Sequence, residues 1–394
     1  MFVNFASRKS VAICSGILVL GGLISFAVAQ RRGQRGNPAA ALAEPYRGIS
    51  AGGEIEKGLF KIESTGVSTQ PVIDAAKKLI DGLSDEQRKR TLFPVDDKEW
   101  RTWDNRHSPK REGVGFDEMT EEQRELAFGL MQASLSAKGL KLSKDIMKLN
   151  HHLGELANNF DEYGQWLYWI TIMGEPSATE PWGWQVDGHH LIINYFVLGD
   201  QVVMSPVFIG SEPVRADSGK FKGTEILQVE QNMGLEMIRA LDAEQQKSAI
   251  LTTVKDGNNA LTQAYKDNVD LDYAGIQGDK LNEQQKELLL KLIAAYVGNM
   301  DDGHAKVKMD EVREHINRTY FAWVGTTEDD SVYYYRVHSP VILIEFDHER
   351  RVAPFRSAKP TREHIHAVVR TPNGNDYGKD LLRQHYEKYH SKEK

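Results

Sequence analysis

Two stretches lying 151 positions apart constrain this chain's fold more than any other feature. Trp169–Tyr195 (WITIMGEPSATEPWGWQVDGHHLIINY) superposes without a gap on Tyr320–Phe346 (YFAWVGTTEDDSVYYYRVHSPVILIEF). Gly174 meets Gly325 and Val186 meets Val337. Aromatic meets aromatic at Trp169/Tyr320, Trp182/Tyr333, Trp184/Tyr335 and Tyr195/Phe346. Upstream, one phrase recurs four times: LSDEQ from Leu83, MTEEQ from Met119, LDAEQ from Leu241 and LNEQQ from Leu281. Ser84, Thr120, Asp242 and Asn282 are good N-caps with acids in the following turn. Four unrelated helix starts would explain the phrase by itself. Its paired spacing, 36 residues from Leu83 to Met119 and 40 from Leu241 to Leu281, argues instead for a duplicated unit.

Each unit reads as helices followed by an antiparallel meander. Helical apolar spacing covers Val72–Ile80, Leu126–Leu135, Ser143–Leu156, Met233–Ala240, Lys286–Val297 and Met309–Arg318, with a closing helix over Lys379–Lys388. Strands are expected at Gln165–Met173, Trp182–Val186, His189–Leu198 and Gln201–Ile209. In the second unit they fall at Tyr320–Val324, Val332–Val337, Val341–His348 and Glu363–Arg370. Segregated helices and strands predict an α+β fold of two related halves, 61–215 and 216–394, packed about a pseudo-twofold axis as one compact unit.

Residues 1–29 read as a secretory signal: Arg8 and Lys9, an apolar run from Val11 to Val28, and a small-x-small cleavage site at Ala27-Val28-Ala29. The apolar run is also about long enough for an uncleaved anchor helix. Cleavage predicts an exported protein, periplasmic or extracellular, with no stable membrane span. Residues 30–60, Gly/Ala/Arg-rich at their start, are expected to be a flexible tether. Cys14 is the only cysteine, so the mature chain forms no disulfide and has no thiol nucleophile or thiolate ligand. Removing Arg8 and Lys9 moves the formal charge from −7 to −9, and no basic cluster with interleaved aromatics is present. Nucleic acid is therefore not an expected partner.

Chemistry concentrates in Thr361–Gly378, TREHIHAVVRTPNGNDYG. On a strand, Ile365, Ala367 and Val369 share one face, while His364, His366, Val368 and Arg370 share the other. His-x-His on one face brings two imidazoles to a common ion. His364 and His366, with His189 or His190, and with His348, Asp347 or Glu345, make a chemically sensible set for Zn²⁺, Fe²⁺ or Cu²⁺. His189 and His190, being adjacent in a strand, would face opposite ways. A bound ion would lower the pKa of its water and give a hydrolytic nucleophile. Against this, His-x-His is short and common, and no HExxH spacing exists. Arg370, Glu345 and Asp376 are the catalytic candidates, Arg370 because its guanidinium can grip a carboxylate or phosphate. Asn373 and Asn375 belong either to a structural turn or to a ligand loop. Trp182 and Trp184, flanked by Glu175, either fill a core or form a stacking face for a glycan or peptide. That second use would make the protein a non-catalytic binding protein. No G-x-S-x-G elbow, P-loop or dinucleotide glycine pattern occurs.

Gly-Glu-Pro (174–176), Trp-Gly-Trp (182–184), Asp-Gly-His-His (187–190), Glu-Phe-Asp-His (345–348) and the 364–378 stretch together carry a family resemblance. Over roughly residues 60–390 the chain resembles an exported bacterial family catalogued as a domain of unknown function, number thirty-five hundred. The resemblance implies bacterial export and a shared architecture. It implies no activity and no catalytic role for any residue.

Overall fold

The computed structural model describes Met1 and residues 38–390. The segment read as a signal lies, beyond Met1, outside the described residues. Among these residues no helix is long and apolar enough to cross a membrane.

The strands are β1 (Leu92–Phe93), β2 (Val114–Gly115), β3 (Tyr168–Met173), β4 (Trp182–Gly188), β5 (Leu191–Leu198) and β6 (Gln201–Ser211). They continue as β7 (Ile250–Thr252), β8 (Ile276–Gln277), β9 (Tyr320–Gly325), β10 (Tyr333–His338), β11 (Leu343–Arg350) and β12 (Pro360–Arg370). All twelve join one mixed sheet in the order β1-β3-β4-β5-β6-β12-β11-β10-β9-β7, with β2 on β3 and β8 on β9. The outer pairs β1–β3 and β7–β9 are parallel, and the other pairs are antiparallel. The central seam pairs β6 with β12, placing Gly210 opposite His366 and Phe208 opposite Val368. Helices plus a mixed sheet make this an α+β fold. The eight strands expected from alternation are all present. The four short ones carry too few residues to show a period.

Four helix starts have the chemistry their sequences promise. Ser84, Thr120, Asp242 and Asn282 each form a capping box with the glutamine three residues on. Those glutamines have a second use. Gln123 donates to Gln87 at 2.9 Å and Gln285 donates to Gln245 at 2.7 Å, so the caps are fastened in pairs. Leu83, Met119, Leu241 and Leu281, just before each cap, are all buried.

Both sheet faces are covered. Ile365, Ala367, Trp182, Trp184, Tyr333 and Tyr335 enter the larger core with the helices Gln70–Gly82, Glu121–Ser134, Ala137–Ala157 and Glu283–Val297. Trp103, Ile192, Phe208, Val368, Tyr377 and Leu381 form a second core on the other face. Two expectations are corrected here. The segment 30–60 is no free tether from Pro38 on. It starts with the helix Pro38–Ala43, Ile49 is fully buried, and Ser50 exchanges backbone hydrogen bonds with Val269 and Leu271. Its contacts are to a loop more than 200 residues away, so no local periodicity betrays them. The aromatic faces form no open platform, because Trp182, Trp184, Tyr333 and Tyr335 are all fully buried. Trp184 stacks on Tyr195 and donates to Ser134 Oγ, and Trp182 donates to the Ser177 carbonyl.

Trp184→Ala should therefore lower the unfolding free energy by about 3–5 kcal/mol, read by urea denaturation. A ligand-stacking side chain at the surface would change it by much less.

Candidate metal centre

β12 carries His364 and His366 on the face opposite Ile365 and Ala367, with their Nε2 atoms 2.9 Å apart. The third imidazole arrives from a turn. His189 and His190 are the two residues linking β4 to β5, so strand alternation does not govern them. His190 adopts the left-handed conformation, φ +66°. Its N–H donates to the Asn105 carbonyl and its own carbonyl accepts from Gly210 N–H. The turn is thereby fixed to β6 at the position that pairs with His366. His190 Nε2 lies 3.0 Å from His366 Nε2 and 3.3 Å from His364 Nε2. Gly210 is needed at this crossing. A Cβ there would meet the Ile365 carbonyl oxygen at 2.6 Å and the rings of His366 and His190 at 3.1 and 3.2 Å.

The expected opposition of His189 and His190 is corrected by this turn: their rings stack at 3.9 Å. His189 Nδ1 lies 2.7 Å from Asn150 Oδ1, and the ring backs His190 without joining the cluster.

Outer partners assign the tautomers. His364 Nδ1 is 2.7 Å from the Arg350 carbonyl, which can only accept, so it carries the proton and Nε2 carries the lone pair. Glu212 Oε2 lies 3.6 Å from the same nitrogen. His366 Nδ1 is 3.0 Å from Glu349 Oε1, which in the neutral ring likewise leaves Nε2 as the lone-pair atom. Gln263 donates to Glu349 and sits 3.2 Å from His366 Nδ1. Burial, with the neighbouring imidazoles, pushes His190 well below its usual range and His364 down to about 3, so both are neutral at ordinary pH. Burial alone would raise the Glu349 carboxyl. The facing His366 and His364 and the Gln263 amide pull it down to about 2.

Three nitrogens 2.9–3.3 Å apart can all lie about 2.1 Å from one ion, at N–metal–N angles of about 90–105°. His190, His364 and His366 are a buried cluster that could hold a metal ion. Imidazoles oriented by carboxylates and carbonyls are the usual support for such ligands.

The remaining candidates lie elsewhere. His348 pairs with Ile365 and so faces the larger core, accepting from Tyr333 N–H and meeting Gln231. Asp347 and Glu345 do share the face of His366, but they bind the loop 255–263. Asp347 holds Lys255 at 2.9 Å and accepts from Ala260 N–H. Glu345 accepts from the N–H groups of Leu261 and Thr262 and from Tyr334 OH. Arg370 is fully buried, donating to the carbonyls of Thr262 and Gln263 and to Asp267 and Asp376, with Trp103 beneath it. Asp376 also caps Thr371 N–H. Asn373 takes a positive φ and bonds the Pro340 carbonyl, and Asn375 Oδ1 accepts from Leu381 N–H. Glu175 is exposed on the loop between β3 and β4, away from the cluster.

Glu349, Glu212, Gln263 and Gly210 were not singled out from the sequence. Glu349 continues the period-two series Glu345, Asp347, one residue past the strand end expected at His348. The others come from distant loops or carry no side chain, and no local pattern marks them.

The family model described as "Protein of unknown function (DUF3500)" matches residues 65–379. The chain belongs to this family. The DUF3500 match contains the whole sheet and all three converging histidines. Comparison with curated proteins yields no match, nor does comparison with solved structures.

Two substitutions separate support from packing. Glu349→Gln should weaken metal binding about 10- to 100-fold in a chelator competition, with the far-UV spectrum unchanged. Gly210→Ala should remove stoichiometric metal and lower stability by about 1–3 kcal/mol, since a backbone carbonyl blocks the added methyl.

Proposed function

We propose that this DUF3500 protein is a divalent-metal-dependent enzyme, hydrolytic in kind, whose ion is held by His190, His364 and His366. One observation carries the reading: three imidazole Nε2 atoms converge within 3.3 Å, and acceptor-only partners on two of the rings turn their lone pairs inward. Three neutral nitrogen ligands with no thiolate and no direct carboxylate suit Zn²⁺ best, ahead of Cu²⁺ and Fe²⁺. Three protein ligands, not four, are the catalytic pattern, because a fourth position remains for water or substrate. There the ion's charge would turn bound water into a nucleophile near neutral pH. The substrate class is a small molecule, glycan or peptide met outside the cytoplasm.

Export is part of the same proposal and is supported by the Arg8-Lys9, apolar-run and Ala-x-Ala pattern of residues 1–29. A centre built of histidine alone also suits an oxidising compartment, where thiolate ligands are lost to disulfides. We further propose that the two halves arose by duplication. Supporting this are the constant offset of 151, the glutamine-linked capping boxes in each half and the mirrored strand order about the β6–β12 seam.

The test is elemental analysis of the mature protein, purified without a His-tag, beside His364→Ala/His366→Ala. Stoichiometric Zn, Cu or Fe in the wild type that disappears in the double variant is the expected result. A metal-free wild type that gains no thermal stability from added Zn²⁺, Cu²⁺ or Fe²⁺ would overturn the proposal.

A further inference from the structure

A second group of potential ligands sits where the C-terminal helix meets the loop between β3 and β4. His385 and His390 come from the end of the helix Lys379–Tyr389 and the residue that follows it, and Glu180 comes from the loop. One ligand atom from each lies within 4.8 Å of the other two. His385 Nε2 and Glu180 Oε2 are 3.4 Å apart, and the two imidazole centroids 5.3 Å. His385 is only 4% exposed, and its Nε2 is buried with no hydrogen-bond partner. A buried ring nitrogen left without a partner is costly. Here it lies 3.4 Å from a carboxylate oxygen, out of hydrogen-bond alignment, and beside a second imidazole.

Both carriers are held firmly. Leu381 and Leu382 anchor the helix in the second core, and Gln384 donates to the Phe60 carbonyl at 2.9 Å. The loop is fixed by Ser177, whose hydroxyl accepts from Glu180 N–H at 3.1 Å and whose carbonyl accepts from Trp182 Nε1 at 3.0 Å. Little backbone ordering therefore remains for a ligand to impose.

We infer that Glu180, His385 and His390 form a second site for a divalent transition metal such as Zn²⁺. Two imidazoles and one carboxylate are a suitable donor set for that class of ion. The bound ion fastens the C-terminal helix to the β3–β4 loop across about 200 residues of sequence. Glu180 and His390 are exposed, so this ion exchanges with solvent and chelators faster than one held in the buried triad.

The test uses the full mature chain carrying His364→Ala/His366→Ala, so the first centre cannot contribute. Calorimetric titration with Zn²⁺ should give one remaining equivalent and raise the melting temperature. Adding His390→Ala or Glu180→Gln, both at exposed positions that leave packing intact, should weaken that equivalent at least about tenfold. His385→Ala should abolish it. No residual binding in the double variant, or residual binding that His390→Ala and Glu180→Gln both leave unchanged, would overturn the site. Failure of the triad would register separately, as wild-type metal content insensitive to His364 and His366.

Discussion

Three imidazole Nε2 atoms brought to one point are the constraint on which the rest of this site depends. His364 and His366 give their Nδ1 protons to a carbonyl and a carboxylate, so two acceptor nitrogens face each other at 2.9 Å. A proton on His190 Nε2 can be shared between them, while with the other His190 tautomer three lone pairs meet. A divalent cation can satisfy those three. Burial keeps His190 and His364 neutral, and Glu349 sets a carboxylate behind His366. The arrangement is rigid because its carriers are two paired strands and a turn bonded to both Asn105 and Gly210.

β11 organises the surroundings. Glu345, Asp347 and Glu349 alternate along one face, a costly placement for carboxylates inside a protein. Each is compensated by the same segment, 255–263. Its Lys255 side chain, its N–H groups at 260–262 and its Gln263 amide meet the three acids in turn. Pinned this way, the segment also offers the Thr262 and Gln263 carbonyls to Arg370 and brings Gln263 beside His366. The buried Arg370–Asp267–Asp376 network and the histidine cluster are therefore two sides of one loop. Removing Arg370 would leave two buried carboxylates with less compensation, and the disturbance would reach Gln263.

Alternation made the main strands legible, and His364 and His366 with them, because both sit mid-strand where a period of two holds. Cap chemistry made four helix starts legible, because an N-cap side chain bonds only its own first turn. What escaped reading was non-local. The His189-His190 pair reads as strand because it runs straight into the apolar stretch from Leu191, and only the turn's geometry brings His190 toward β12. Arg370 looks like a ligand clamp in sequence. Its buried partners come from Asp267 and the 262–263 carbonyls, more than 100 residues upstream. Trp182 and Trp184 read more readily as core than as platform, yet alternation does not decide it, since a strand face covered by helices and one open to solvent share the same period.

The position of the cluster on the β6–β12 seam has its own consequence. His190 and His366 are 176 residues apart in sequence, and they belong to the two segments that the repeated sequence pattern separates. The corresponding turn in the second segment, between β10 and β11, closes on itself, with the Ser339 hydroxyl accepting from the N–H groups of Val341 and Ile342. It delivers no imidazole to the seam. The two segments do not carry equivalent clusters, because of the two turns only β4–β5 holds histidine and of the two seam strands only β12 holds His-x-His. The binding energy of an ion held by this cluster would act across the seam, since His190 lies on one side of it and His364 and His366 on the other. An ion held there would couple its binding to the docking of β6 on β12, each stabilising the other.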